Sequence, residues 1–374
     1  MLRLLSLNLQ HGAIGAGAAQ ATDPTHRALA GKDIAEPRTA HAALQALAEQ
    51  IAELAPDVVL LQEVDHHQKR SANLDQTSIL AKLLGMPHHR FAAAWAGPVA
   101  GLRRRPLRSA LAEAGDELLG PLRALVGLPP QGFGNALLSR FPVTTWRVQR
   151  LGRGAPSWTR SGPVWDPRGY RLWTASSRLM LTASIDLREA TASASPASGE
   201  VGALGATAQR AASALTATSG QADMRTWADA DLRAPEPQSP KPQNSASRPR
   251  LPEHLAVGVT HLATNTATAR RQLADAWRGL STLPGPHMLG GDMNLWEEEV
   301  AALGVARPVG TGDTYPAGIP DHRIDHFLTD PWPAGPNGLP DPTGQGVLRA
   351  VGWGTRSFVI SDHAGTWVDL ELSS

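Results

Sequence analysis

Short apolar runs that stop abruptly at a polar residue set the tightest limit on how this chain folds. LRLLSLNL over residues 2–9 ends at Asn8, and DVVLLQEV over 57–64 carries Glu63 at its end. LAVGVTHL, HMLGGDMN and RIDHFL repeat the pattern. Each run is too short for a buried helix, so each reads as a buried strand. Strands are expected near 2–9, 57–64, 91–95, 135–138, 144–149, 178–185, 255–260, 286–290, 323–328, 347–353 and 364–372. Helices are fewer. Ala40, Ala43, Leu44, Leu47, Ile51 and Leu54 recur at three- and four-residue steps, predicting an amphipathic helix over 38–54 that ends before Pro56. Further helices are expected at 77–84, 266–282 and 296–303, and a polar, Gly-rich loop at 12–37. Many strands and few helices predict an α/β (α+β) chain, a two-sheet core with helices outside.

With 42% hydrophobic residues, the 374-residue chain can bury such a core. One domain over 1–374 is expected, interrupted by two insertions. Residues 190–250 are dominated by Ala, Ser, Thr, Pro and Gln, and lack the large apolar groups that offset ordering entropy. This stretch is expected to be disordered. Residues 97–131 form the other insertion, with a helix near 107–126 and a cluster at Arg103, Arg104, Arg105 and Arg108. Those arginines read either as solvated surface or as phosphate contacts beside an active site.

Lys+Arg 35 against Asp+Glu 34 gives a net charge of +1, so bulk charge does not hold the chain to nucleic acid or membrane. The absence of cysteine excludes disulfides, thiolate nucleophiles, iron–sulfur clusters and Cys-ligated zinc. No apolar stretch reaches 18 residues. The start MLRLLSLNLQHG lacks the shape of a signal peptide. The expected location is cytoplasmic.

The residues at the strand ends carry the chemistry. They are Asn8, Glu63, His261, Asp292, Asn294, Asp325, Asp362 and His363. Taken singly, each has an ordinary structural reading: a turn amide, a solvated carboxylate, a helix cap, a core histidine. Together they resemble a phosphoester site. In Gly290-Gly291-Asp292-Met293-Asn294 the glycines permit close backbone approach. Continued strand geometry would place Asp292 and Asn294 on one side. Glu63 offers a hard oxygen suited to Mg²⁺. His261 and His363 supply charge or proton transfer, and Asp325 can orient one of them.

The segments LNLQHG, LLQEVD, GNALLSRFPV, VTHL, GGDMN, RIDHF and SDHAG occur in this order over residues 4–365. In identity and order they resemble the endonuclease/exonuclease/phosphatase superfamily, the metal-dependent phosphoesterases that include deoxyribonuclease-like enzymes, bacterial sphingomyelinases and inositol-phosphate phosphatases. The resemblance implies a four-layer α/β sandwich: two mixed β-sheets packed face to face with helices outside. It implies Glu63 as the main metal ligand, with Asn8 beside it and Asp362 at a second metal or as support. It implies Asp292 aligning or deprotonating water, Asn294 contacting phosphate, and His363 held by Asp325. His261 would contact the phosphoryl oxygens or assist the leaving group, and Asn135 in GNALLSR would lie near the substrate.

One departure is Gln10, which stands where nuclease-type members often carry an acidic ligand. Other patterns carry no site. Gly15-Ala16-Gly17 lacks the third glycine of a dinucleotide fingerprint. His66-His67 and His88-His89 lack a carboxylate at metal-site spacing and read as solvated turns. His326 should face away from Asp325.

The expected activity is hydrolysis of a phosphoester by in-line water attack, dependent on Mg²⁺ with Mn²⁺ as substitute. The substrate stays open between nucleic acid and a phospholipid headgroup or small molecule. A non-catalytic binding protein on the same fold is disfavoured, because every catalytic position is filled. The sequence does not indicate an oligomeric state.

Overall fold

A computed structural model describes residues 1–98, 131–154, 157–160, 170–173, 177–188, 252–344 and 346–372. Nearly all of the insertion expected over 97–131, with its four arginines and its helix, lies outside the described residues, as does the whole of 190–250. The strands are β1 (Leu2–Asn8), β2 (Val58–His66), β3 (His88–Ala96), β4 (Gly132–Ser139), β5 (Val143–Arg153), β6 (Ser157–Arg160) and β7 (Tyr170–Trp173). They continue as β8 (Ser177–Asp186), β9 (His254–His261), β10 (His287–Asp292), β11 (Arg307–Val309), β12 (Asp325–Thr329), β13 (Leu348–Arg356) and β14 (Gly365–Leu372). The helices are α1 (Ala16–Gln20), α2 (Pro24–Arg27), α3 (Pro37–Leu54), α4 (Gln76–Leu84), α5 (Thr266–Leu280) and α6 (Glu297–Leu303).

Two six-stranded sheets form the core. One runs β13-β14-β1-β2-β4-β3 and the other β11-β12-β10-β9-β8-β5, while β6 and β7 pair separately. Both sheets are mixed: β1–β2 and β9–β10 are parallel pairs among antiparallel neighbours. Alternation along the strands sorts the apolar side chains into layers. Leu2, Leu4, Val58 and Leu60 of one sheet pack with Leu181, Val257, Val259, Met288 and Phe327 of the other. Leu5, Leu7, Val59 and Leu61 face the opposite way, under Leu44, Leu47 and Ile51 of α3 and Leu80 of α4. Leu289 and Leu328 pack under Leu273, Ala276 and Leu280 of α5 and Val300 of α6. The result is the four-layer sandwich, with two mixed sheets face to face and helices outside. Removing the Phe327 side chain, fully buried between the sheets, costs about 3–5 kcal/mol.

The outer helices begin at caps the sequence encodes. Glu36 accepts from Thr39 N at 3.0 Å with Pro37 next, and α3 stops at Ala55, left-handed at φ 48°. Asn265 accepts from Thr268 N at 3.0 Å to start α5. The loop expected at 12–37 instead contains α1 and α2. These are single turns, and α2 is capped by Asp23 with Pro24 behind it. Short β11 and the β6–β7 hairpin were not evident from the sequence pattern. No helix among the described residues is long and apolar enough to cross a membrane.

Candidate active site

The two parallel pairs end at one rim. Asn8 is in register with Gln62, His261 with Asp292, and Asp292 with Asp325. Leu4, Val259, Met288 and Phe327 point between the sheets. Asn8, His261, Asp292 and Asp325 lie an even number of residues from them, so all four face inward.

Glu63 breaks that count. Val59 and Leu61 face the helix layer, and simple alternation would send Glu63 there too. Instead the β2–β4 register slips between Leu61 and Val64, and Glu63 takes a left-handed φ of 53°. This bulge inserts one extra residue. Val64 returns to the helix-layer core, and Glu63 turns into the rim, its Oε1 3.8 Å from His261 Nδ1.

Asp292 is the hub. Its Oδ1 accepts from Asn294 N at 2.9 Å. This bond turns the chain out of the strand, with Asn294 left-handed at φ 49°. Asn294 therefore reaches the cleft through a turn and not through continued strand alternation. Its side-chain amide donates to Leu262 O at 3.1 Å. Asp292 Oδ2 accepts from Asn8 Nδ2 at 3.0 Å and lies 3.4 Å from His261 Nε2 and 3.9 Å from His363 Nε2. Neither Asp292 nor Asn294 caps the next helix. Trp296 does, its backbone N donating to Glu299 at 3.0 Å.

His363 arrives from the loop before β14. Its backbone N donates to Ser361 Oγ at 3.0 Å, Ser361 N donates to Ala13 O at 2.8 Å, and Ala364 N donates to Thr314 O at 2.7 Å. Its Nδ1 sits 2.8 Å from Asp325 Oδ2. Gly15 belongs to this support: a Cβ there would lie 1.8 Å from Ser361 O.

Burial, and then the charge of Asp325, pushes the Asp292 carboxyl up to about 7. Burial works against a charged His363, but the charge and hydrogen bond of Asp325 outweigh it and raise the ring to about 10. His363 is therefore an imidazolium at neutral pH. Burial, with Arg178 and His363 adding repulsion, holds His261 well below the usual histidine range and neutral. Glu63 is raised by burial; Arg178 opposes this and Asp362 adds to it.

The cleft measures about 390 Å³, and Glu63, Arg178, His261, Asp292, Asn294, Asp362 and His363 are its charged and polar lining. Seven of the nine residues singled out in the sequence meet here directly: Asn8, Glu63, His261, Asp292, Asn294, Asp325 and His363. Asp362 lines the cleft half-exposed, 3.9 Å from His363 Nε2. Asn135 faces between the sheets opposite the bulge, but its amide donates to Leu179 O at 3.3 Å and it does not line the cleft.

Among the described residues, donor atoms that could hold a metal gather at two places: His66, His67 and Asp75, none of which lines the cleft, and a trio at the rim. Donor atoms of Asp292, Asp325 and His363 lie within 4.8 Å of one another. An imidazolium with Nδ1 committed to Asp325 is a poor ligand, so this trio reads as a proton-holding group. The carboxylates of Glu63 and Asp362, with Asn8 Oδ1, offer hard oxygens instead.

Arg178, Tyr315, Trp296 and His322 also line the cleft and were not singled out in the sequence. No described residue pairs with the Arg178 guanidinium within hydrogen-bond or ion-pair distance, although Asp292 and Glu63 attract it. Tyr315 stands ten residues before Asp325, a spacing without a signal of its own. Two other expectations change or stand. His66 is not solvated: it is buried, stacked on Phe91 at 5.2 Å and 3.3 Å from Asp75. His326 does face away from Asp325, 2.9 Å from Leu295 O.

The sequence model described as Endonuclease/Exonuclease/phosphatase family matches residues 5–363. None of the curated proteins matches the chain in sequence. Among solved structures, the chain is similar to an endonuclease/exonuclease/phosphatase from Beutenbergia cavernae DSM 12333. Identity is 18% and TM-score 0.46, covering 100% of this chain and 72% of that one. A family protein from Bacteroides thetaiotaomicron is 11% identical with TM-score 0.48, covering 100% and 98%. A mannosyl-6-phosphatase from the same organism is 11% identical with TM-score 0.48, covering 99% of each chain.

Proposed function

The chain belongs to the endonuclease/exonuclease/phosphatase family, and on that premise we propose that it is a divalent-metal-dependent hydrolase that cleaves a phosphoester by in-line attack of water. The observation that carries this reading is the convergence of Asn8 Nδ2, His261 Nε2 and His363 Nε2 on one oxygen of Asp292, beside the turned-in carboxylate of Glu63.

Each residue has a task that its surroundings favour. Asp292 is the base: burial raises its proton affinity towards neutrality, where a general base works best. Asn8 and the Asn294 backbone fix its two oxygens, so the carboxylate is already aimed. His363 serves as a donor. Held as imidazolium by Asp325, it offers an Nε2 proton to the phosphoryl oxygens as charge develops. Neutral His261 binds a second oxygen, and the Arg178 guanidinium, paired with no described residue, binds an anionic phosphate oxygen. Asn294 lines the same cleft and adds a polar contact.

The oxygen set fits a hard divalent cation such as Mg²⁺ or Mn²⁺. The charge of Asp362 disfavours ionisation of Glu63, a penalty that a bound cation would relieve. Asn8 Oδ1 accepts from Gln10 N at 2.9 Å and keeps a second lone pair. When bound, such an ion supplies Lewis-acid stabilisation of the phosphoryl oxygens.

Asp292→Asn tests the reading. Turnover of a phosphodiester should fall by about 10²-fold or more, with the fold retained by circular dichroism. Wild-type turnover in the folded variant would overturn it.

A further inference from the structure

Besides its charged and polar groups, the cleft is lined by Trp296, Tyr315, His322 and Ile324. Trp296 is 57% exposed, a large apolar surface left open beside the reacting groups. It is nonetheless held in place. Its backbone caps α6, and its ring stacks on His322 with centroids 5.1 Å apart and planes 10° apart. His322 meets the edge of Tyr315 at 5.4 Å, and Tyr315 lies 4.9 Å from the His363 ring. A continuous row of rings therefore runs from His363 through Tyr315 and His322 to the exposed indole of Trp296.

We propose that the cleft takes a phosphoester carrying a nucleobase next to its scissile phosphate, and that Trp296 is the platform on which the base lies. This rests on the phosphoester-hydrolase reading and names its substrate class. Any nucleobase offers a flat face to an aromatic ring, so such a platform binds bases with little sequence preference. The platform is ordered before the substrate arrives, which lowers the entropy cost of binding. A cationic headgroup would also favour an indole face, but in this cleft it shares the space with the Arg178 guanidinium, which no described residue pairs. A neutral base meets no such repulsion. Trp296 contacts the leaving or retained nucleoside and takes no part in bond breaking.

Three esters with one leaving group separate the outcomes: thymidine 5′-p-nitrophenyl phosphate, its tetrahydrofuran analogue without the base, and p-nitrophenyl phosphocholine. With the wild-type protein and Mg²⁺, KM for the thymidine ester should be roughly five- to a hundredfold below that of the base-free ester. Trp296→Ala should bring the ratio of the two KM values to about one, and Trp296→Phe should keep most of it. A ratio near one in the wild type, or one that Trp296→Ala leaves intact, overturns the platform while the hydrolase reading stands. Preference for the phosphocholine ester overturns the nucleobase assignment. Hydrolysis of none of the three by a protein that still turns over p-nitrophenyl phosphate or bis-p-nitrophenyl phosphate overturns this inference alone; turnover of none of the five overturns the hydrolase reading with it.

Discussion

Replacing Gly291 by alanine probes how the fold aims the site. Gly291 has φ +144°, a region closed to ordinary L-residues, and a Cβ there would lie 1.9 Å from the carbonyl oxygen of Thr260. The obstruction is backbone, so no rotamer change relieves it. β10 must move away from β9 by about 1 Å or more, since carbon and oxygen do not approach within about 3 Å. The backbone conformation costs about 1–3 kcal/mol and the forced separation a similar amount. Set against the roughly 5–15 kcal/mol that holds a domain together, the loss is severe. At about 2–4 °C per kcal/mol, the melting temperature should fall by about 4 °C or more. The residue after Gly291 is Asp292, and the register partner of Asp292 is His261. A shift of this size should therefore also lower turnover by about 10²-fold. Gly290→Ala is the comparison: there a Cβ meets side chains and not backbone, Leu60 and the Phe327 ring at 2.6 and 2.7 Å, so the variant carries an overpacking cost of about 1–3 kcal/mol without a closed backbone conformation. Thermal unfolding and p-nitrophenol release on both variants check this. A Gly291→Ala protein as stable and active as Gly290→Ala would refute the reasoning.

Asp325→Asn removes the charge that keeps His363 an imidazolium, so turnover should drop by about 10²-fold with folding retained, measured on purified protein. Arg178→Ala should raise KM for every phosphoester, and Arg178→Lys should recover part of the loss; an unchanged KM would remove Arg178 from phosphate binding. Stability should depend on pH through His287. Burial opposes its charge, but Asp330 and the Leu283 carbonyl, each 2.8 Å from a ring nitrogen, raise its pKa, because only the doubly protonated ring satisfies both. A raised pKa stabilises the fold fully below about 6.5, the unfolded value, and that contribution is lost as pH rises through the folded value. The destabilisation by Asp330→Asn should therefore shrink between pH 6 and pH 9 in urea titrations, and a difference independent of pH would count against the ion pair.

Much of this architecture is legible in the sequence because buried strands leave continuous apolar runs. Asn8, His261, Asp292 and Asp325 stand where those runs end, and even spacing from Leu4, Val259, Met288 and Phe327 already puts them on one face. The direction of Glu63 is not legible. QEV reads as ordinary strand, and nothing in it announces the extra residue that turns the carboxylate inward. Asn294 is similar: its left-handed turn follows from a hydrogen bond to Asp292 that only the folded chain forms. Arg178 looks like any charged residue at a strand start. Trp296 and His322 are 26 residues apart in loops, and only the packing of those loops stacks their rings. His66 looked solvated because a doublet of histidines beside charged residues resembles a turn, whereas β2 extends through it and buries it.

Metal-dependent release of p-nitrophenol bears most directly on the account. The purified protein would be stripped with EDTA, dialysed, and titrated with Mg²⁺ or Mn²⁺ against bis-p-nitrophenyl phosphate and p-nitrophenyl phosphate. The expected result is no turnover in the stripped protein and saturable recovery with the cation on at least one substrate. Glu63→Gln should need a higher cation concentration, since one charged oxygen ligand is lost. Full turnover after exhaustive chelation, or none with either cation, would contradict the account.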